Sequence, residues 1–215
     1  MTDSTKTLIA ALLDRSGSMS VSKQATEDGW RDLISDQQGE PGVCEVTLAQ
    51  FDTEYEVVYP PTDLSAVPEF VLHPRGSTAL LDATGRLITE VGQMLAAMPE
   101  DQRPGRVICL IMTDGRENAS REWSLDRVKA LITEQQEVYG WEFIFLGANI
   151  DAVGMAESMG MDRRKAMTYN DKSYRANKEA YAVTSGAMKA ARAGLNFGFS
   201  QADRDAAMGE EDRPA

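Results

Sequence analysis

The chain has 215 residues, 42% hydrophobic and 26% charged, enough for one domain with a substantial core and unlike a disordered polymer or a fibre. Its net charge of −12, from 34 acidic and 22 basic residues with no basic cluster, argues against nucleic-acid binding. Met1–Lys6 is too polar for a signal segment, and the apolar runs Ile9–Leu13 and Val107–Met112 are too short to cross a bilayer. No membrane association and a cytoplasmic location are therefore expected. Cys44 and Cys109 lie in strand-like apolar segments, where a thiol behaves as a small hydrophobe; a disulfide is rare in an intracellular chain. Two thiols without a suitably placed His make no zinc site.

The first predicted element is Thr7–Leu13, a nearly continuous apolar run of the kind a strand covered on both faces requires. It ends at Asp14-Arg15-Ser16-Gly17-Ser18. A helix is predicted over about 20–37, buried through Val21, Ala25, Trp30, Leu33 and Ile34, and Gly39-Glu40-Pro41-Gly42 stops it. Cys44–Phe51 and Tyr55–Tyr59 are separated only by Asp52-Thr53-Glu54, so they form an antiparallel hairpin, closed by Pro60-Pro61. A short helix near Leu64–Phe70 and a loop follow.

Leu80, Leu81, Thr84, Leu87, Ile88, Val91, Met94, Leu95 and Met98 keep the spacing of one helical face, the clearest helix of the chain. Arg106–Thr113 reads as a buried strand. A helix over about 124–139 is expected to bury Leu125, Val128, Leu131, Ile132 and Val138, with Ser124 as N-cap and Gly140 in the left-handed position beyond its end. Glu142–Leu146 is a strand, Asp151–Met159 a short helix, Ala166–Tyr169 a brief edge strand, and about 172–193 a last, alanine-rich helix. From Gln201 the chain is acidic with little to bury, so residues 196–215 are expected to form a disordered tail beyond a domain of residues 1–195.

Strands separated by helices demand right-handed crossovers. The expected fold is α/β: a Rossmann-like, doubly wound, mostly parallel sheet with one antiparallel edge strand and helices on both faces. Ligands of such sheets sit beyond the carboxyl ends of the strands. Asp14, Ser16 and Ser18 leave the first strand there, Asp114 leaves the strand Arg106–Thr113 in the same way, and Gly76-Ser77-Thr78 opens the long helix. If the strands of Asp14 and Asp114 are neighbours, two carboxylates and three hydroxyls surround one space. Hard oxygen donors with few charges and no soft ligand suit Mg²⁺ or Mn²⁺. The bland alternative is a helix N-cap cluster without metal.

Asp14, Ser16, Ser18, Thr78 and Asp114 resemble the metal-ion-dependent adhesion site of the von Willebrand factor type A (VWA) family, an Asp-x-Ser-x-Ser motif followed by a later Thr and a later Asp. The resemblance covers about residues 5–193 and includes Thr-Ala-Leu-x-Asp-Ala at Thr78–Ala83. It implies that Ser16, Ser18 and often Thr78 touch the metal directly, while the aspartates act largely through bound water. Neutral hydroxyls leave much of the cation's charge unquenched, so its open position favours a Glu or Asp carboxylate of a protein partner. Arg116-Glu117-Asn118 and Val71-Leu72-His73-Pro74-Arg75 are candidate partner-selecting rims. Phe145–Ala152 looks like intracellular, phage-encoded or bacterial members of the family.

Other residues have plainer readings. Asp82 caps a helix or complements its dipole, Asp52 is a hairpin residue, and His73 is an exposed loop residue. Met155, Met159, Met161 and Met167 serve packing, with an adaptable docking surface as the alternative. Trp30, Trp123 and Trp141 also pack, Trp123 being the one expected exposed near the site. Catalysis finds no residue set. A phosphohydrolase using Asp14 in the haloacid dehalogenase manner needs a second Asp where Ser16 stands. A serine hydrolase lacks Gly-x-Ser-x-Gly, and no nucleotide-binding Gly-x-x-x-x-Gly-Lys loop exists. A scaffold with a non-functional metal site is the third alternative to a metal-dependent binding module.

Overall fold

The structure, a computed structural model, describes residues 2–209. Its strands are β1 (Asp3–Asp14), β2 (Val43–Phe51), β3 (Tyr55–Asp63), β4 (Pro104–Thr113), β5 (Glu142–Ala148) and β6 (Ala166–Tyr169). Its α-helices are α1 (Lys23–Gln38), α2 (Leu80–Ala97), α3 (Leu125–Tyr139), α4 (Ala152–Ser158), α5 (Tyr174–Arg192) and α6 (Gln201–Met208). Among the described residues, six strands form one sheet in the order β3-β2-β1-β4-β5-β6. Only the β2–β3 pair is antiparallel. This is the expected α/β architecture.

Alternation along the strands divides the core in two. Ile9, Ala11 and Leu13 of β1 and Ile108, Leu110 and Met112 of β4 meet Trp30, Leu33 and Ile34 of α1 and Ala180, Tyr181 and Met188 of α5. Leu8, Ala10 and Leu12 with Val107, Cys109 and Ile111 point the other way, onto Leu80, Leu87 and Ile88 of α2 and Val128 and Ile132 of α3. The period-2 pattern of a strand covered on both faces is thus filled with apolar residues at every position. Cys44 and Cys109 are free and belong to opposite faces. Burial pushes the Cys44 thiol up to about 11.

Several local expectations are corrected. The helix predicted from residue 20 begins at Lys23, because Gly17–Ser20 forms a 3₁₀ turn; Met19 points inward and Val21 is 72% exposed. In α3, Leu125 and Val138 stand exposed at the two ends, outside the buried stripe of Val128, Ile132 and Gln135. Strand β3 continues through Pro60-Pro61 to Asp63, tolerable on an edge strand where a missing N–H breaks no ladder. The helix expected near Leu64–Phe70 is only a 3₁₀ turn at Leu64–Ala66. Pro68 forces Val67 out of the helical region, to φ −60° and ψ 125°. Phe70 and Leu72 then anchor the chain by burial, Phe70 edge-on to Trp30 at 6.4 Å.

The predicted disordered tail is likewise corrected. Residues 201–208 form α6, opened by a capping box in which Ser200 and Asp203 satisfy each other's backbone N–H groups. Phe199 and Ala207 are buried, Arg204 Nη1 donates to the Ala166 carbonyl at 2.7 Å, and Asn170 N donates to the Ala207 carbonyl at 3.1 Å. The helix therefore covers the edge of β6. The rest of the expected tail, residues 210–215, lies outside the described residues. Among the described residues, no helix is long and apolar enough to cross a membrane.

Candidate metal centre

Strands β1 and β4 are hydrogen-bonded neighbours, with Leu13 opposite Met112, so Asp14 and Asp114 leave the sheet side by side. Asp14 is fully buried. Its Oδ1 accepts the Ser16 backbone N–H at 2.6 Å and its Oδ2 accepts the Thr113 hydroxyl at 2.5 Å. Burial raises its pKa to about 6 against the pull of those hydrogen bonds, and the nearby Asp114 pushes the same way. The Ser16 and Ser18 hydroxyls lie 3.1 Å apart, and both donate to Asp114 Oδ1, at 3.2 and 2.9 Å. Asp114 Oδ2 is buried without a hydrogen-bond partner. Burial raises the Asp114 pKa as well, with the two serines opposing and Asp171 adding repulsion.

Thr78 is brought to the same place by its loop. A Cβ on Gly115 would fall 2.8 Å from Thr78 Oγ1, so the hydroxyl sits against the backbone just after Asp114. Asn118 grips the Thr78 backbone on both sides: Thr78 N donates to Asn118 Oδ1 at 2.9 Å and Asn118 N donates to the Thr78 carbonyl at 3.1 Å. Gly17 N donates to the Gly76 carbonyl at 3.2 Å, joining the serine turn to the same loop. All five sequence-predicted residues thus gather at one end of the sheet.

The surroundings differ from the sequence reading at several points. Asp52 is buried, and its Oδ2 accepts Nε–H groups of Arg15 at 3.1 Å and Arg75 at 2.7 Å. It ties three loops together and is more than a hairpin residue. Asp82 reaches across from α2 to accept the backbone N–H groups of Arg121, Glu122 and Trp123 at 2.8–2.9 Å. Glu117, expected to face a partner, turns inward to accept from Leu81 N at 2.9 Å and Ser120 N at 2.7 Å. Both carboxylates serve to strap the 115–123 loop onto the start of α2. Trp123 is half-buried against Gly85, where no Cβ would fit, with Arg127 stacked 4.4 Å from its ring centroid. Met159, Met161 and Met167 are buried, as packing requires, and His73 is exposed.

Sequence reasoning also passed over Thr113, Asn149 and Asp171. The Thr113 hydroxyl donates to Asp14 Oδ2, and an inward-facing Thr at a strand end carries no signal by itself. Asp171 is buried at the end of β6 and accepts from the Asn149 side chain. Asn149 holds the left-handed φ of 53° that Asn tolerates better than other non-glycine residues.

These residues fit a hard divalent cation. Neither Asp14, which is fully buried, nor Asp114, which is half-buried, has an ion-pair partner among the described residues. The serine protons point to Asp114 Oδ1, which leaves oxygen lone pairs free for a metal, and Asp114 Oδ2 has no other use. No cluster of three or more His, Cys, Asp or Glu side chains suited to a metal exists among the described residues. Any centre here must rest on two carboxylates plus hydroxyls, a set suited to Mg²⁺ or Mn²⁺.

Solved structures with the same architecture define the class. The chain superposes on proximal thread matrix protein 1 of the mussel byssus with a TM-score of 0.61 and 18% identity, covering 82% of this chain and 46% of that one. The same byssus protein has been solved with zinc occupying its MIDAS motif, at a TM-score of 0.60, 18% identity and the same coverage. A von Willebrand factor type A protein from Catenulispora acidiphila matches at a TM-score of 0.60 and 14% identity, over 86% of this chain and 43% of that one. The fold is that of a VWA domain. The chain spans less than half the length of each of these proteins. No protein-family model matches the sequence, and no curated protein matches it.

Proposed function

We infer that the chain is a metal-dependent protein-binding module, in which Asp14, Ser16, Ser18, Thr78 and Asp114 hold one Mg²⁺, or Mn²⁺ in its place. The observation that carries this reading is the unneutralised pair Asp14 and Asp114, with both serine hydroxyls turned onto Asp114 Oδ1 and Oδ2 left without a partner. A cation supplies the missing positive charge. Ser16, Ser18 and Thr78 would be direct ligands, and the aspartates would act largely through water. The cation keeps a position open to a carboxylate, and a Glu or Asp side chain of a protein partner takes it. The reading extends to an intracellular setting in a bacterial or phage system.

A phosphohydrolase is less well supported. Asp14 has both carboxylate oxygens engaged and no exposed surface, so it is poorly placed as a nucleophile, and Ser16 stands where a general acid is needed. The test is a calorimetric Mg²⁺ and Mn²⁺ titration of chelator-stripped protein beside Asp14→Ala, followed by capture of a Glu-containing peptide with and without chelator. One saturable site in the wild type, lost in the variant, with capture abolished by chelator, is expected. A wild type that binds neither cation, even with the peptide present, would leave only a scaffold with a non-functional site.

A further inference from the structure

Asp52 lies outside the five residues of the centre, yet it contacts both the turn that follows Asp14 and the loop that carries Thr78. It follows the end of β2, and Phe51 is paired with Asp14. Its Oδ2 receives Arg15 Nε at 3.1 Å and Arg75 Nε at 2.7 Å, and its Oδ1 receives Glu54 N at 2.6 Å. Its carbonyl accepts Ala79 N at 2.9 Å. Arg15, the residue between Asp14 and Ser16, is itself 5% exposed and also ion-paired to Glu56 at 2.5 Å; Arg75 reaches Glu54 at 2.6 Å. Backbone bonds complete the link: Arg75 N to the Arg15 carbonyl at 2.7 Å and Gly17 N to the Gly76 carbonyl at 3.2 Å. Thr78 sits between these fixed points, next to Ala79.

We propose that Asp52 is a positioning residue for the metal centre, the anion through which the Arg15 and Arg75 guanidiniums lock the serine turn and the Thr78 loop in register. The proposal rests on the metal reading above. A carboxylate bridging two guanidiniums fixes both orientation and spacing, which a solvated ion pair does not. The desolvated end of the network is Arg15–Asp52, with side chains 6% and 2% exposed, while Glu54 and Glu56 at 70% and 60% exposure add little. A side chain at Gly76, which has φ 70°, would come within 3.1 Å of Asp52 Cβ, so the loop crosses the carboxylate at contact distance. With a neutral side chain at position 52 the Arg75 end of the loop loosens, and Thr78, still tied by its backbone to Asn118, loses its register with the serine turn, while the hydrogen bonds among Asp14, Ser16, Ser18 and Asp114 remain.

The experiment compares wild type, Asp52→Asn, Thr78→Ala and the double variant by Mg²⁺ and Mn²⁺ calorimetry, with amide exchange of the metal-free proteins alongside. Asp52→Asn is expected to weaken cation binding about tenfold or more, to speed exchange at Arg75 and Ala79, and to weaken binding no further once Thr78 is Ala. That non-additivity is the readout that general destabilisation does not give. Arg75→Gln, altering the half-exposed loop end of the clamp, serves should Asp52→Asn fail to fold, and it should show the same pattern at smaller size. Wild-type affinity in the Asp52→Asn or Arg75→Gln variant, or losses that multiply with Thr78→Ala, would overturn the positioning role and leave the metal reading standing. A wild type without cation binding would overturn both.

Discussion

The middle of β1 and its last residue are equally buried, yet they are held in opposite ways. Leu8–Leu13 are at most 2% exposed, and each meets a face of apolar neighbours with no directional demand. Asp14, the next residue, is 0% exposed and has each carboxylate oxygen matched to one particular donor. Removing apolar surface from water is non-directional and tolerates exchange of similar shapes. Satisfying a buried carboxylate is not tolerant, because each partner must arrive from a specified place. The interior of the sheet therefore supplies rigidity, and its carboxyl edge spends that rigidity on a fixed arrangement of oxygens.

The strongest way to break this contrast is to damage the interior and look for an effect at the edge. Leu110 is fully buried on the central strand β4. Leu110→Ala should lower unfolding free energy by about 2–5 kcal/mol in urea titration. Cation affinity of the protein that remains folded should stay unchanged. A parallel fall in affinity would mean that the strand interior and the site do not act separately.

The same contrast explains what could be read from the sequence. The α/β order, the hairpin at Asp52–Glu54 and helices α2, α3 and α5 were legible because burial repeats with the period of the backbone, as Leu80–Leu95 does. Gly140 and Ser124 were legible as helix ends because their chemistry is local. Asp14, Ser16, Ser18 and Asp114 were readable as positions at or just past strand ends, and Thr78 as a position in the loop before α2, together resembling one motif. Asp52, Asp82 and Glu117 were not, since a surface acid and a loop-organising acid look alike until the partners are known. Those partners lie 37, 39–41 and 36 residues away for Arg15, the 121–123 amides and Leu81. Helix α6 was missed for a related reason. Its composition is polar, and what holds it is the edge of β6, which its own sequence does not reveal.

A smaller effect tests the edge itself. Asp14 has a folded pKa of about 6, raised from 3.8 by burial. Below pH 3.8 the group is protonated folded or unfolded, and its contribution to stability is fully present. As pH rises towards about 6 the unfolded chain releases its proton while the folded one keeps it, so metal-free stability falls, and above about 6 the whole contribution is lost. The interval corresponds to about 3 kcal/mol at neutral pH. Asp14→Asn should recover up to that amount in metal-free protein and flatten its stability between pH 4 and 6. The Thr113 hydroxyl can turn to the Gly115 carbonyl, 3.1 Å away, and accept from the new amide. Added Mg²⁺ should stabilise the wild type, more at pH 7.5 than at pH 5, and leave the variant unmoved in thermal melts. An equal Mg²⁺ response in both proteins would separate the cation from Asp14.

The smallest effect concerns α6, which belongs to neither region. Ser200 Oγ accepts Asp203 N at 3.2 Å, while Asp203 Oδ2 accepts Ser200 N at 2.7 Å. Ser200→Ala removes the first bond and spares the second, and losses at such caps are about 1 kcal/mol. If residues 1–195 are the cooperative unit, that loss should appear as faster amide exchange within 203–208 alone, with the unfolding midpoint hardly moved, because Arg204 and Ala207 still hold the helix to β6. A midpoint shift approaching that of Leu110→Ala would place α6 inside the cooperative unit. The edge of β6 would then need its cover as much as the sheet needs its core, and the domain would extend through Met208.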